Sequence, residues 1–144
     1  MESSTMKHLR HAAESGEAAA QFNLGVLSDS RVDDNGYATE GNRAEAIKWL
    51  LAAAEQGLPR AQSRLAEFYA DGPNASGNLV NACAWFLLAI QNSRGIHRHQ
   101  ARSGYERVAT RLTPSQFTEA KRLAGRWRAQ NRHETPQLNE GKAQ

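Results

Sequence analysis

Apolar residues recur at helical spacing along most of this chain. Met6, Leu9, Ala12 and Ala13 fall at i, i+3, i+6 and i+7, one face of a short helix ending near Ser15. From Glu17 to about Ser28, Ala20 and Leu24 form a core line, with Phe22 and Val26 off it. The stretch from Asn42 to Gly72 reads as two antiparallel helices joined by a tight turn. Gly57 ends the first by accepting left-handed dihedrals. Pro59 opens the second, at a position where its missing N–H costs nothing. Ala46, Ala53, Ala54, Ala61 and Ala66 let the two backbones approach, and Trp49, Leu50, Leu65, Phe68 and Tyr69 supply bulk.

Asn78 is placed to cap a further helix running to about Asn92. Its interior, ACAWFLLAI, is apolar nearly all round, which predicts the most buried helix of the chain. After a break at 93–96, Ala101, Tyr105, Val108 and Leu112 mark one face of a helix over 97–112. Thr113-Pro114-Ser115-Gln116 then forms a capping box, with Thr at the cap, Pro at the first helical position and Gln three after the cap. Phe117, Ala120, Ala124 and Trp127 are the buried stripe of a last helix to about Gln130. Lys121, Arg122 and Arg128 lie on its other side.

The helices are copies of one another. AAEQGLPRAQSRL (53–65) overlays AAESGEAAAQFNL (12–24) at a shift of 41, with Ala12, Ala13, Glu14, Gly16, Ala20, Gln21 and Leu24 identical to their counterparts. NRAEAIKWLLAA (42–53) overlays NLVNACAWFLLA (78–89) at a shift of 36. The unequal shifts place a five-residue insertion in the first inter-helix loop. A single hairpin of this kind cannot bury its own apolar face and needs neighbours, and such a period signals a helical solenoid.

These residues resemble the Sel1-like repeat, a relative of the tetratricopeptide repeat. Ala20, Leu24 and Gly25 match the first half of the family pattern, and Ala46, Trp49, Ala53, Ala54 and Gly57 its second. Ala61, Leu65, Tyr69, Ala82, Trp85 and Ala89 continue it, with Ala66 in place of the glycine. The resemblance implies an all-α fold: a right-handed α-solenoid of antiparallel helix pairs with about seven helices. One domain is expected over 1–130, made of a half-repeat at 6–16, repeats at 17–57 and 58–95, and a capping helix pair at 97–130. Residues 131–144 are expected to be a disordered tail.

Two connections stand apart. Residues 29–41, DSRVDDNGYATEG, read as a loop with an Asn-Gly turn, on the simplest view a tolerated insertion. Residues 72–78, GPNASGN, read as a turn. Asn74-Ala75-Ser76 fits the N-glycosylation triplet, here taken as chance.

Composition narrows the function classes. No run of about 18 apolar residues exists, so no membrane span is expected. The first residues lack the apolar core of a secretory signal, and a cytoplasmic location is the simplest expectation. The one cysteine, Cys83, has no internal partner for a disulfide. The net charge of +3 conceals an asymmetry: residues 1–93 hold 7 basic and 11 acidic side chains, residues 94–144 hold 11 and 4.

Catalytic chemistry finds no constellation. His8 and His11 share a helix face, but no Cys or carboxylate cluster completes a metal set with them or with His97 and His99. Cys83 sits mid-helix in apolar surroundings, which raise a thiol pKa instead of activating it. No phosphate loop or nucleophile elbow appears. The expectation is a non-enzyme with no cofactor and no metal. Arg98 and Arg102, Arg107 and Arg111, and Arg122 and Arg126 are spaced four apart as stripes on helices. Such stripes grip phosphates or acidic peptides, or simply face water. Nucleic acid is not the expected partner, because Tyr105, Phe117 and Trp127 sit on core stripes and not among the arginines as stacking platforms.

The remaining expectation, implied by the resemblance, is a protein–protein interaction module, an adaptor or scaffold. It would hold a peptide or one helix of a partner on a concave surface lined by 17–28, 58–71 and 97–112. The candidate partner-binding residues are Phe22, Val26, Arg60, Ser63, Glu67, Arg98 and Arg102. Phe22 and Val26 would be apolar anchors; Arg60, Arg98 and Arg102 would hold acidic groups. The alternative is a dedicated inhibitor or immunity partner that caps an enzyme or toxin.

Overall fold

The computed structural model describes residues 3–29, 43–71 and 75–134, with side chains throughout except at 75–77 and 129–134. Among these residues the chain forms seven helices and no strand: α1 (Ser4–Glu14), α2 (Ala18–Ser28), α3 (Arg43–Glu55), α4 (Pro59–Asp71), α5 (Ala75–Asn92), α6 (Gly95–Ala109) and α7 (Pro114–Glu134). Each of α2 to α6 packs on the helix before it, α4 also touches α6, and α7 lies along α5. This is an all-α solenoid. The loop at 30–42, including Tyr37, the residues 72–74, the side chains of the glycosylation triplet and the tail from 135 lie outside the described residues.

The turns follow from local chemistry. α1 and α3 end identically. Gly16 and Gly57 adopt φ of 104° and 93°, left-handed values that glycine takes without a Cβ penalty. Gly16 N–H donates to Ala13 O (3.0 Å) and Glu17 N–H to Ala12 O (3.1 Å); Gly57 N–H donates to Ala54 O (2.9 Å) and Leu58 N–H to Ala53 O (3.3 Å). These are two Schellman motifs, 41 residues apart, and they satisfy carbonyls that a helix end would otherwise orphan. The α7 capping box also forms: Gln116 N–H donates to Thr113 Oγ1 (3.1 Å) and Thr113 N–H to Gln116 Oε1 (2.9 Å).

Expected boundaries move in α5, α6 and α7. α7 continues past Gln130 to Glu134, so 131–134 are helical and not part of a disordered tail, and α6 ends at Ala109 and not at 112. α5 starts at Ala75, so Asn78 lies within its first turn and is not the N-cap. Gly77 in the added turn disfavours helix, yet Leu79 just beyond it is buried, and that packing fixes the face of the longer helix. α6 starts at Gly95, so only Ser93 and Arg94 form the break. Ser93 Oγ closes it by donating to Ala89 O (2.6 Å).

Each turn is also tied by a buried amide. Gln21 Nε2 donates to Ala13 O (3.0 Å), and its counterpart Gln62 Nε2 donates to Ala54 O (3.1 Å). Each glutamine in turn accepts through its Oε1. Gln56 Nε2 donates to Gln21 (2.8 Å) and also to Gly16 O (2.9 Å), and Asn92 Nδ2 donates to Gln62 (3.2 Å). Gln56 and Asn92 are 36 residues apart, so both sequence shifts meet in this ladder. Each rung joins the ends of two alternate helices through the start of the helix between them. Buried amides are tolerated because both ends are bonded.

The main core gathers around α5. Leu50, Leu65, Phe86 and Leu88 are fully buried there, with Ala53, Ala54, Ala61, Ala66, Ala82 and Ala84 forming the narrow seams. The two equivalent tryptophans have different neighbours. Trp49 packs in a smaller cluster with Leu9, Ala13 and Leu24 and donates its indole N–H to Glu45 (2.8 Å). Trp85 stacks on Trp127 of α7, ring centroids 4.4 Å apart, and so fastens the last helix.

Gly104 marks the closest approach between α5 and α6. A Cβ there would lie 2.5 Å from Cε1 and Cζ of the buried Phe86 ring. Gly104→Ala is therefore expected to destabilise the fold by roughly 1–2 kcal/mol: overpacking costs about 1–3, and better helix propensity returns up to about 1. Denaturant midpoints read this directly. Adding Phe86→Leu should recover part of the loss, and a purely additive double mutant would contradict the clash.

Candidate functional site

α2, α4 and α6 all enter from the same end of the stack and together line one groove. It has a volume of about 410 Å³ and is walled by Phe22, Pro59, Arg60, Ser63, Arg64, Glu67, His97 and Gln100. Phe22 comes from the second turn of α2. Pro59, Arg60 and Ser63 lie at the start of α4, Arg64 and Glu67 follow on the same helix, and His97 and Gln100 come from the start of α6.

Four of the seven residues singled out from the sequence meet here: Phe22, Arg60, Ser63 and Glu67. The other three do not line the groove. Val26 is half-buried further along α2. Arg98 and Arg102 are exposed on α6, on the flank away from His97 and Gln100. Pro59, Arg64, His97 and Gln100 complete the lining and were not among the candidate binding residues. Arg64 could have been found, since it shares a face with Arg60 four residues earlier.

The charges in the groove are not equivalent. The Arg60 guanidinium lies over the Phe22 ring, 5.0 Å from its centroid. Such stacking holds the planar group in place. Arg64 pairs with Asp29 at the end of α2 (3.9 Å). The Glu67 side chain stays accessible overall, yet its carboxyl is crowded enough that burial raises its pKa above the usual carboxylate value. The nearby charges of Arg64 and Arg107 oppose that rise. Arg60 has no ion pair among the described residues.

Elsewhere the chemistry is quiet. Cys83 is fully buried on α5, and burial pushes its thiol up to about 11, which leaves it protonated at neutral pH. Among the described residues no group of three or more His, Cys, Asp or Glu side chains could hold a metal ion. None of the described helices is long and apolar enough to cross a membrane. On α7, Glu119 and Arg122 form a paired fork at 2.6 and 3.0 Å; this hydrogen bonding lowers the Glu119 pKa.

The geometry has known counterparts. In sequence, the chain is 38% identical over 69 residues to the chitin synthase regulator SKT5 of Saccharomyces cerevisiae, which covers 46% of this chain and 10% of the regulator. In structure, it resembles c5321, a protective antigen present in uropathogenic Escherichia coli strains that displays an SLR fold. There the TM-score is 0.69 and the identity 32%, over 83% of this chain and 24% of the antigen. The chain thus spans about a tenth of the length of one relative and about a quarter of the other. The Sel1 repeat itself matches residues 18–58 and 59–93, which bracket α2–α3 and α4–α5, with the boundary at Pro59 where the second helix pair begins. With those two repeats covering more than half of its residues, the chain belongs to the Sel1 repeat family.

Proposed function

We propose that this protein is a non-catalytic adaptor module that holds a peptide or a single helix of a partner protein in the groove of α2, α4 and α6. The observation that carries this reading is the groove itself. Three helices from successive repeats contribute an aromatic wall, two arginines, a carboxylate and further hydrogen-bonding groups to one recess. A peptide site needs this mixture of apolar wall and a few placed polar groups. Sel1 repeat proteins are in general protein-interaction adaptors, which supports the same class of function. The two arginines favour a partner with acidic segments.

Gln100→Trp tests the reading. Gln100 is exposed, so the change should alter stability by no more than about 0.5 kcal/mol. The indole would fill the groove from its edge. Partners recovered by pull-down with the wild type should bind the variant at least tenfold more weakly, about 1.4 kcal/mol. Equal recovery by both proteins would rule the groove out as the binding surface.

A second reading, an inhibitor or regulator that caps an enzyme, is favoured by the yeast relative's description as a regulator of chitin synthase. It differs in outcome: the recovered partner would be an enzyme whose activity falls as this protein is added.

A further inference from the structure

We propose that the groove is directional, with its end at the starts of α4 and α6 taking a carboxylate of an acidic peptide and Arg60 as the group that grips it. This rests on the groove reading above and adds the partner's chemistry and orientation to it.

Arg60 is the focus. Its guanidinium lies over the Phe22 ring, 5.0 Å from the centroid. An arginine fixed in this way has already lost much of the side-chain freedom that binding would otherwise cost, and its fork matches a carboxylate with two parallel hydrogen bonds. The other charges of the groove are met within the chain: Arg64 lies against Asp29, and Glu67 lies in the field of Arg64 and Arg107. Glu67 is seven residues from Arg60, about two turns or roughly 10 Å along the helix. Among the described residues Arg60 is thus a positioned cation with no carboxylate paired to it.

The surroundings agree. Ser63, His97 and Gln100 bring hydrogen-bonding groups to the same end of the recess. The first turns of α4 and α6 both open there, and helix starts add positive potential. The guanidinium fork matches the two oxygens of a carboxylate with parallel hydrogen bonds. The Phe22 ring already carries the Arg60 guanidinium, which leaves it less available to stack a nucleobase. The far end, with Glu67, is the end that repels acid, and this asymmetry orients the peptide.

The test uses a display library of random linear peptides, presented once with free C-termini and once with both ends blocked. Enriched sequences should carry Asp or Glu at a fixed position, or require the free terminus; the two arms tell these carboxylates apart. A synthetic peptide from the enriched set should lose at least tenfold in affinity, by fluorescence anisotropy, when that carboxylate becomes an amide. Arg60→Gln should lose a similar factor. Arg60→Lys should lie between, keeping charge without the fork, and circular dichroism should show both variants folded. Neutral sequences that bind equally well and are blocked by Gln100→Trp would overturn the carboxylate assignment and leave the groove reading standing. A phosphoserine peptide binding tenfold tighter than its acidic counterpart would also overturn it. No enrichment over background would overturn both readings.

Discussion

Leu65→Ala is expected to lower the stability of the fold by about 2–5 kcal/mol, the range for truncating a buried leucine. Leu65 is completely buried in the α4–α5 core. The site has little means of collapse. Many residues of its core are alanines, which have no longer side chain to swing into the gap, and the flanking helices are held by tied turns. The upper half of the range is therefore the better expectation. Domains are stable by only about 5–15 kcal/mol in total, so urea midpoints and thermal melts both resolve the change. The half-buried Leu123 on α7 should cost much less when truncated. A Leu65→Ala midpoint equal to that of the wild type would mean that the seam between the two repeats is not where the fold is held.

Gln62→Ala is expected to cost about 2–4 kcal/mol. The loss has two parts. Deleting the buried Cγ methylene removes about 0.8 kcal/mol, and loss of the buried amide's hydrogen bonds adds about 1–3. The polar part should fall in the lower half of its range, because Ala54 O keeps the N–H of Gly57 as a donor and Asn92 is accessible to water. Gln62→Met separates the parts, since it restores the volume without the bonds. Asn92→Ala, at the exposed end of the rung, should cost no more than about 1.5 kcal/mol. A Gln62→Met protein as stable as the wild type would show that this residue acts by packing alone.

The elements that were readable from the sequence are those fixed by short-range chemistry. Gly57 with Pro59 bounded a turn, Thr113 to Gln116 announced a helix start, and the alanine-rich seams followed from spacing. Asn78 misled because a good capping residue is equally at home within a first turn, and only packing decides which role it takes. The groove was readable on α4, where Arg60, Ser63 and Glu67 lie off the strongly marked core line of Ala61, Leu65 and Ala66. It was not readable on α6. There Ala101, Tyr105 and Val108 fix the buried stripe, but His97 with Gln100 and Arg98 with Arg102 lie on opposite flanks of it at about 100° per residue. Which flank meets α4 depends on how successive pairs are rotated, and no single helix encodes that. The stacking of Arg60 on Phe22 joins residues 38 positions apart and was out of reach for the same reason.

The glutamine rungs and glycine turns also bear on how such a protein grows. A block running from just after Gly16 to Gly57 begins and ends at equivalent joints. A tandem duplicate of those 41 residues would meet, at each new junction, the partners it already has. Lengthening the array then adds another wall to the recess without disturbing the walls in place, so the size of the bound segment is set by copy number and its chemistry by a handful of substitutions facing inward.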